Sequence, residues 1–134
     1  GFVIKWKDDF KIGIDEIDEQ HKQIFRIANE AYELLKDEFA IDKYDRIAEL
    51  LEELKDYAKF HFSFEESYMQ SKNYRGYFSH KLAHDSFVDK VNSYDLDEID
   101  ENQDQYILEI LEFVVNWISQ HILVTDKKIV AQES

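Results

Sequence analysis

The chain should fold as an all-α protein, an antiparallel up-down-up-down four-helix bundle with an extended N-terminal arm, and three observations predict it. Proline is absent and glycine occurs only three times in 134 residues, too few turn formers for an all-β chain. Four long stretches carry apolar residues at alternating spacings of three and four, the seam of helices packed nearly parallel. The links between them are short, which favours antiparallel neighbours. A hydrophobic content of 44% suits one domain with one core. That domain is read as the whole of 1–134, with the arm over about 1–14 and the bundle over about 15–126.

Residues 1–13 form the arm, with Trp6 and Phe10 packing on the bundle. The first helix is expected from about Glu16 to Lys36, capped by Asp15 with Asp18 three residues on. Its inward stripe is Ile17, His21, Ile24, Ala28, Ala31 and Leu35. The second runs from about Lys43 to Gln70, capped by Asp42, with the stripe Ile47, Leu51, Leu54, Ala58, His61, Glu65 and Tyr68. A short connection, Ser71 to Gly76, leads to the third, about Tyr77 to Ser93, whose stripe is Tyr77, His80, His84, Phe87 and Val91. An acidic loop from Tyr94 follows, and Asp100 with Gln103 makes a capping pair. The fourth stripe is Ile107, Ile110, Val114, Trp117 and His121.

Composition excludes several function classes. With 16 basic and 30 acidic residues the net charge is −14, so nucleic acid and anionic membranes are poor partners. No apolar run approaches the roughly 20 residues that span a bilayer. Phe2-Val3-Ile4, interrupted by Lys5 and Lys7, is too short for a signal peptide, and a cytoplasmic monomer is expected. The absence of cysteine removes disulfides, thiolate zinc sites, iron–sulfur clusters and thiol nucleophiles.

The histidines carry the chemistry. A single histidine on an apolar stripe is usually a hydrogen-bonded core residue, yet all five histidines of this chain fall on stripes. With two chances in seven for each, all five would do so at random roughly twice in a thousand. Glu65 lies four residues after His61 on the same face, where an unpaired charge would be expensive. Topology brings these residues to one level. His21 opens the first helix, His61 and Glu65 close the second, His80 and His84 open the third, and His121 closes the fourth. At about 1.5 Å per residue, His21 lies about 24 Å and His61 about 29 Å from the first turn, within one helical turn of each other.

Neutral imidazoles buried together would have unsatisfied nitrogens, and protonated ones would repel each other. A metal resolves both problems. Five nitrogens exceed what one tetrahedral zinc uses. Six or more donors on four helices suit two ions bridged by carboxylate, with iron favoured and manganese, cobalt or zinc as substitutes. The second carboxylate must lie near His121. Asp126 follows it by five residues, off the helical stripe, so the helix must end or loosen near Thr125 for Asp126 to reach inward. Glu66 competes with Glu65 but stands about 100° off the stripe and is expected to be solvated.

The set His21, His61-Phe62-Ser63-Phe64-Glu65, His80-Lys81-Leu82-Ala83-His84 and His121 with Asp126 resembles the hemerythrin family, in particular its bacterial members. Trp6, the stretch Asp18-Glu19-Gln20-His21-Lys22, Glu65-Glu66 and Trp117 add to the resemblance, which covers Trp6 to about Asp126. Arg75 departs from it, standing where many relatives have proline. The resemblance implies that His80, His84 and His121 hold one iron and His21 and His61 the other. Glu65 and Asp126 would bridge both, together with an oxo or hydroxo group. The two-histidine iron would keep an open position for dioxygen, the expected partner, with both ions cycling between Fe2+ and Fe3+. Phe62, Trp117, Ile118 and Ile122, at helical spacing around the ligands, should form a dry apolar pocket that keeps water and protons out.

The function implied is reversible dioxygen binding, as carrier, store or sensor. Two alternatives use the same site: a di-iron oxidase or peroxidase, and an iron- or oxygen-responsive interaction module. Against turnover, the chain has no E-x-x-H pair, and mostly neutral donors stabilise high-valent iron less well.

Overall fold

The structure, a computed structural model, describes residues 6–95 and 103–133. Four helices pack side by side: α1 (Asp15–Lys36), α2 (Lys43–Ser71), α3 (Tyr77–Asn92) and α4 (Asp104–Gln120). Each touches its sequence neighbour, and α1 closes the ring against α4, as an up-down-up-down bundle requires. Beyond α4 the helix widens into a π turn, His121–Asp126, and continues as α5 (Lys127–Glu133). The helical rod therefore extends past the bundle limit read from the sequence.

The apolar stripes build the core. Ile24, Ala28 and Ala31 of α1 meet Ile47, Leu51 and Leu54 of α2, Phe87 and Val91 of α3, and Ile107, Ile110 and Val114 of α4 in one buried cluster. Each fully buried Ile, Leu or Phe adds about 1.5–3 kcal/mol relative to exposure. The arm joins this cluster as expected. Phe10 is buried, and its ring lies 5.1 Å from Phe25 and 5.8 Å from Trp6. Residues 1–5 of the arm lie outside the described residues.

The helix ends correct two expectations. Asp15 is the first residue of α1 and makes no side-chain cap. The carboxylate that fastens the arm to α1 is Asp18, accepting from the backbone N–H of Ile12 at 2.8 Å and of Gly13 at 3.2 Å. Gly13 takes φ +98° there, a conformation glycine adopts without steric cost. Asp42 does not cap α2 through its side chain, because its backbone is left-handed at φ 55°; a capping side chain needs extended backbone at that position. The next residue, Lys43, instead donates to the Leu35 and Asp37 carbonyls at the end of α1. Asp100 lies outside the described residues, and Gln103 precedes α4 without a side-chain cap.

Between α2 and α3 the chain turns through a Schellman motif. Asn73 is left-handed at φ 54°, its N–H donates to the Gln70 carbonyl, and that of Tyr74 donates to Met69. The N–H of Arg75 donates to Oε1 of Gln132 at 2.9 Å, tying this turn to α5. A proline at that position would have no N–H to offer.

One helix bears on the membrane question. The rod Asp104–Gln132 has a mean hydropathy of 1.4 in its most apolar window, long and apolar enough to cross a membrane by length and composition. Half of that window is buried inside the bundle, so its apolar face is taken up by the core.

Candidate metal centre

Seven side chains expected to meet at one end of the bundle do so, and all are buried: His21, His61, Glu65, His80, His84, His121 and Asp126. Helical geometry explains five of them. His61 and Glu65 on α2, and His80 and His84 on α3, are four apart and share a face, while His21 points inward from the second turn of α1. His121 and Asp126 need more. At 100° per residue an α-helix would put Asp126 about 140° away from His121. The helix neither ends nor frays. It closes i→i+5 over His121–Asp126, which returns the fifth residue to the face of the first, and π turns of this kind are frequent at functional sites.

The donor atoms sort into two groups, within each of which they lie within 4.8 Å of one another: Glu65, His80, His84, His121 and Asp126 in one, and His21, His61, Glu65 and Asp126 in the other. Each carboxylate divides its oxygens between them. Glu65 Oε1 lies 2.7 Å from His80 Nε2 and 3.1 Å from His84 Nε2, while Oε2 lies 3.4 Å from His61 Nε2. Asp126 Oδ1 lies 3.1 Å from His80 and 3.0 Å from His121, and Oδ2 lies 3.1 Å from His21.

The arrangement leaves polar atoms unsatisfied. Nε2 meets Nε2 at 3.1 Å between His21 and His61, 2.9 Å between His80 and His121, and 3.1 Å between His84 and His121. Such a contact can share at most one proton between neutral rings. Both Asp126 oxygens and Glu65 Oε2 have no aligned hydrogen bond despite their short contacts, and burying such atoms unpaired is costly. Two groups of donors left in this way could each hold a cation.

Two outer partners were not read from the sequence. His61 Nδ1–H donates to Gln20 Oε1 at 2.7 Å, and His84 Nδ1–H donates to Glu66 Oε2 at 2.8 Å. Glu66 is thus half-buried against a donor, not solvated as expected. Its angle off the stripe puts it beside His84 of the neighbouring helix. The signal for both is chemical: a buried donor histidine needs a partner for its second nitrogen.

Of the four pocket residues, Phe62, Ile118 and Ile122 are buried and Trp117 is half-buried. Phe62 stacks on His84 with centroids 4.0 Å apart, and Trp117 stacks on His121 at 4.4 Å. These two rings therefore wall the five-donor group. Ile118 and Ile122 belong to the core cluster.

The carboxylates and histidines shift one another in the metal-free protein. Burial lowers the His121 imidazolium, but the Asp126 carboxylate, and then Glu65, outweigh it and push it up to about 9. Burial and the Glu65 charge raise Asp126, yet His121 and His21 hold it down to about 2. At pH 7 His121 therefore carries a proton that a bound cation must displace, while Asp126 is already ionised. Cation affinity should rise with pH through neutrality and level off above about 9. Calorimetric titration at pH 7 in buffers of different ionisation enthalpy should show proton release on binding; buffer-independent heats would contradict this.

A family profile described as "Hemerythrin HHE cation binding domain" matches residues 12–132. A bacteriohemerythrin of Clostridium acetobutylicum is 56% identical over 123 residues, covering 92% of this chain and 95% of that protein. A bacteriohemerythrin of Pseudomonas paraeruginosa is 40% identical over 89 residues, 66% of this chain and 56% of that protein. Among solved structures, a wild-type hemerythrin superposes with a TM-score of 0.74 at 25% identity, covering 94% of each chain.

Proposed function

Because this chain belongs to the hemerythrin family, we propose that its seven donors hold two iron ions and that the pair binds dioxygen reversibly, as a carrier, store or sensor. The division of the two carboxylates carries this reading. Oε1 and Oδ1 face His80, His84 and His121, while Oε2 and Oδ2 face His61 and His21, as two shared ligands between two ions would. His80, His84 and His121 would hold one ion and His21 and His61 the other, which would be one histidine poorer and so leave room for a ligand. When bound, two ferrous ions supply one electron each, enough for reversible two-electron chemistry with dioxygen.

The protein's part is to orient and to exclude. Four helices fix the donors, and the π turn holds Asp126 between the two groups. Ile118 and Ile122, each 1% exposed, and Phe62 keep water from the layer, which slows proton-assisted loss of the bound gas. Every Nε2 in the layer is turned toward a donor group, so no histidine there is left as a general acid for turnover. This favours binding over oxidase or peroxidase chemistry. The net charge of −14 also argues against polyanionic partners.

Protein loaded anaerobically with ferrous iron should contain two irons per chain. Its visible absorption should appear on exposure to air and vanish on deoxygenation through repeated cycles. One iron at saturation would remove the two-ion reading, and irreversible conversion to ferric protein on first exposure would remove reversible binding.

A further inference from the structure

Each donor group contains one histidine with a partner for its outward nitrogen and one without. In the four-donor group His61 Nδ1 is bonded to Gln20 and His21 Nδ1 has no partner; in the five-donor group His84 Nδ1 is bonded to Glu66 and His80 Nδ1 has none. The two groups differ in the charge of that partner. Gln20 offers a neutral amide oxygen, whereas Glu66 offers a carboxylate at 2.8 Å whose side chain is only 18% exposed.

We propose that Glu66 is a positioning residue that makes the five-donor position the tighter of the two cation positions, an inference that rests on the two-ion reading above. Accepting the Nδ1–H of His84 fixes the tautomer in which Nε2 keeps its lone pair toward Glu65 Oε1 and His121 Nε2, each 3.1 Å away. Phe62, parallel to the His84 ring within 12° and 4.0 Å from it, holds the plane while Glu66 sets the rotation. A carboxylate acceptor also pushes electron density onto the ring, because a charge-assisted hydrogen bond is roughly twice as strong as a neutral one. Gln20 orients His61 in the same way but adds no charge. Outer partners of this kind are worth about 10–100-fold in metal affinity, and the charged one should sit at the upper end.

Zinc, which binds imidazole and carboxylate without redox chemistry, tests this by competition titration of metal-free protein against a chromophoric chelator. Wild type should take two zinc ions of unequal affinity. Glu66→Gln should still take two, with the tighter step weakened about 10-fold or more, and Glu66→Ala should weaken it further. Gln20→Ala should weaken the other step. Nitrogen-15 NMR of the metal-free proteins adds a readout that a merely structural role would not move. His84 should be the Nδ1–H tautomer in wild type and in Glu66→Gln, and a mixture in Glu66→Ala. Unchanged zinc affinities in both Glu66 variants, or an Nε2–H tautomer for His84 in wild type, would overturn the proposal while leaving the two-ion reading intact. A wild type that takes only one zinc would overturn both.

Discussion

An Asp126→Ala variant is expected to lose most of its iron at concentrations where wild type keeps both ions, and Glu65→Ala should do the same. Each carboxylate presents one oxygen to each histidine group, so removing one strips both positions at once. Removing a terminal histidine such as His121 affects one position, where water can substitute. The loss should exceed the ~10–100-fold typical of outer-shell partners. The metal-free fold should survive, because the apolar seams of all four helices lie away from the layer. Iron retention after gel filtration, read beside far-ultraviolet circular dichroism of the apoproteins, separates metal loss from unfolding. Comparable retention in Asp126→Ala and wild type would mean that Asp126 does not bridge.

Ile122→Glu is expected to keep two irons and yet bind dioxygen poorly and oxidise to the ferric state much faster. Ile118 and Ile122 are four apart, flank His121 and are each 1% exposed. On the two-ion reading they are expected to border the open position beside His21 and His61. A carboxylate there offers an anionic ligand and a proton path where wild type offers neither. No existing donor is removed, so loading should persist. Without metal, the same carboxylate would be a buried unpaired charge costing several kcal/mol, and the apoprotein should be less stable than wild-type apoprotein. Anaerobic stopped-flow mixing with oxygenated buffer measures the first effect and thermal unfolding the second. Oxygen binding and release like the parent's would place the open position elsewhere.

Most of the bundle and its donor layer was legible because both follow from periodicity. Helical spacing set the phase of every stripe, and His21, His61, His80 and His84 fell on it. Asp126 was legible only as a contradiction, a needed carboxylate at a spacing no α-helix accommodates. The sequence said that the helix must yield near Thr125 but not that it would widen and continue. Gln20 and Glu66 were hidden for a different reason: they act sideways across a helix interface, where stripe arithmetic assigns residues to solvent. The caps failed at Asp15 and Asp42 because a capping residue is defined by its backbone angles, which composition does not specify. The rod from Asp104 does not read as an apolar run because Glu109, Glu112, Asn116 and Gln120 interrupt it in sequence.

The donors that face each other across the layer are distant along the chain: 40 residues separate His21 from His61, and 41 separate His80 from His121. An ion held between such partners closes a long loop, and closing loops of this size covalently restricts an unfolded chain by about 3–5 kcal/mol on the chain-entropy account. Cysteine is absent from the chain, so the protein has no disulfide to play that part. On the two-ion reading its cross-links would be coordinate bonds, which a chelator undoes without breaking a covalent bond. A loaded centre would thereby also be a reversible staple, tying α1 to the turn that follows α4.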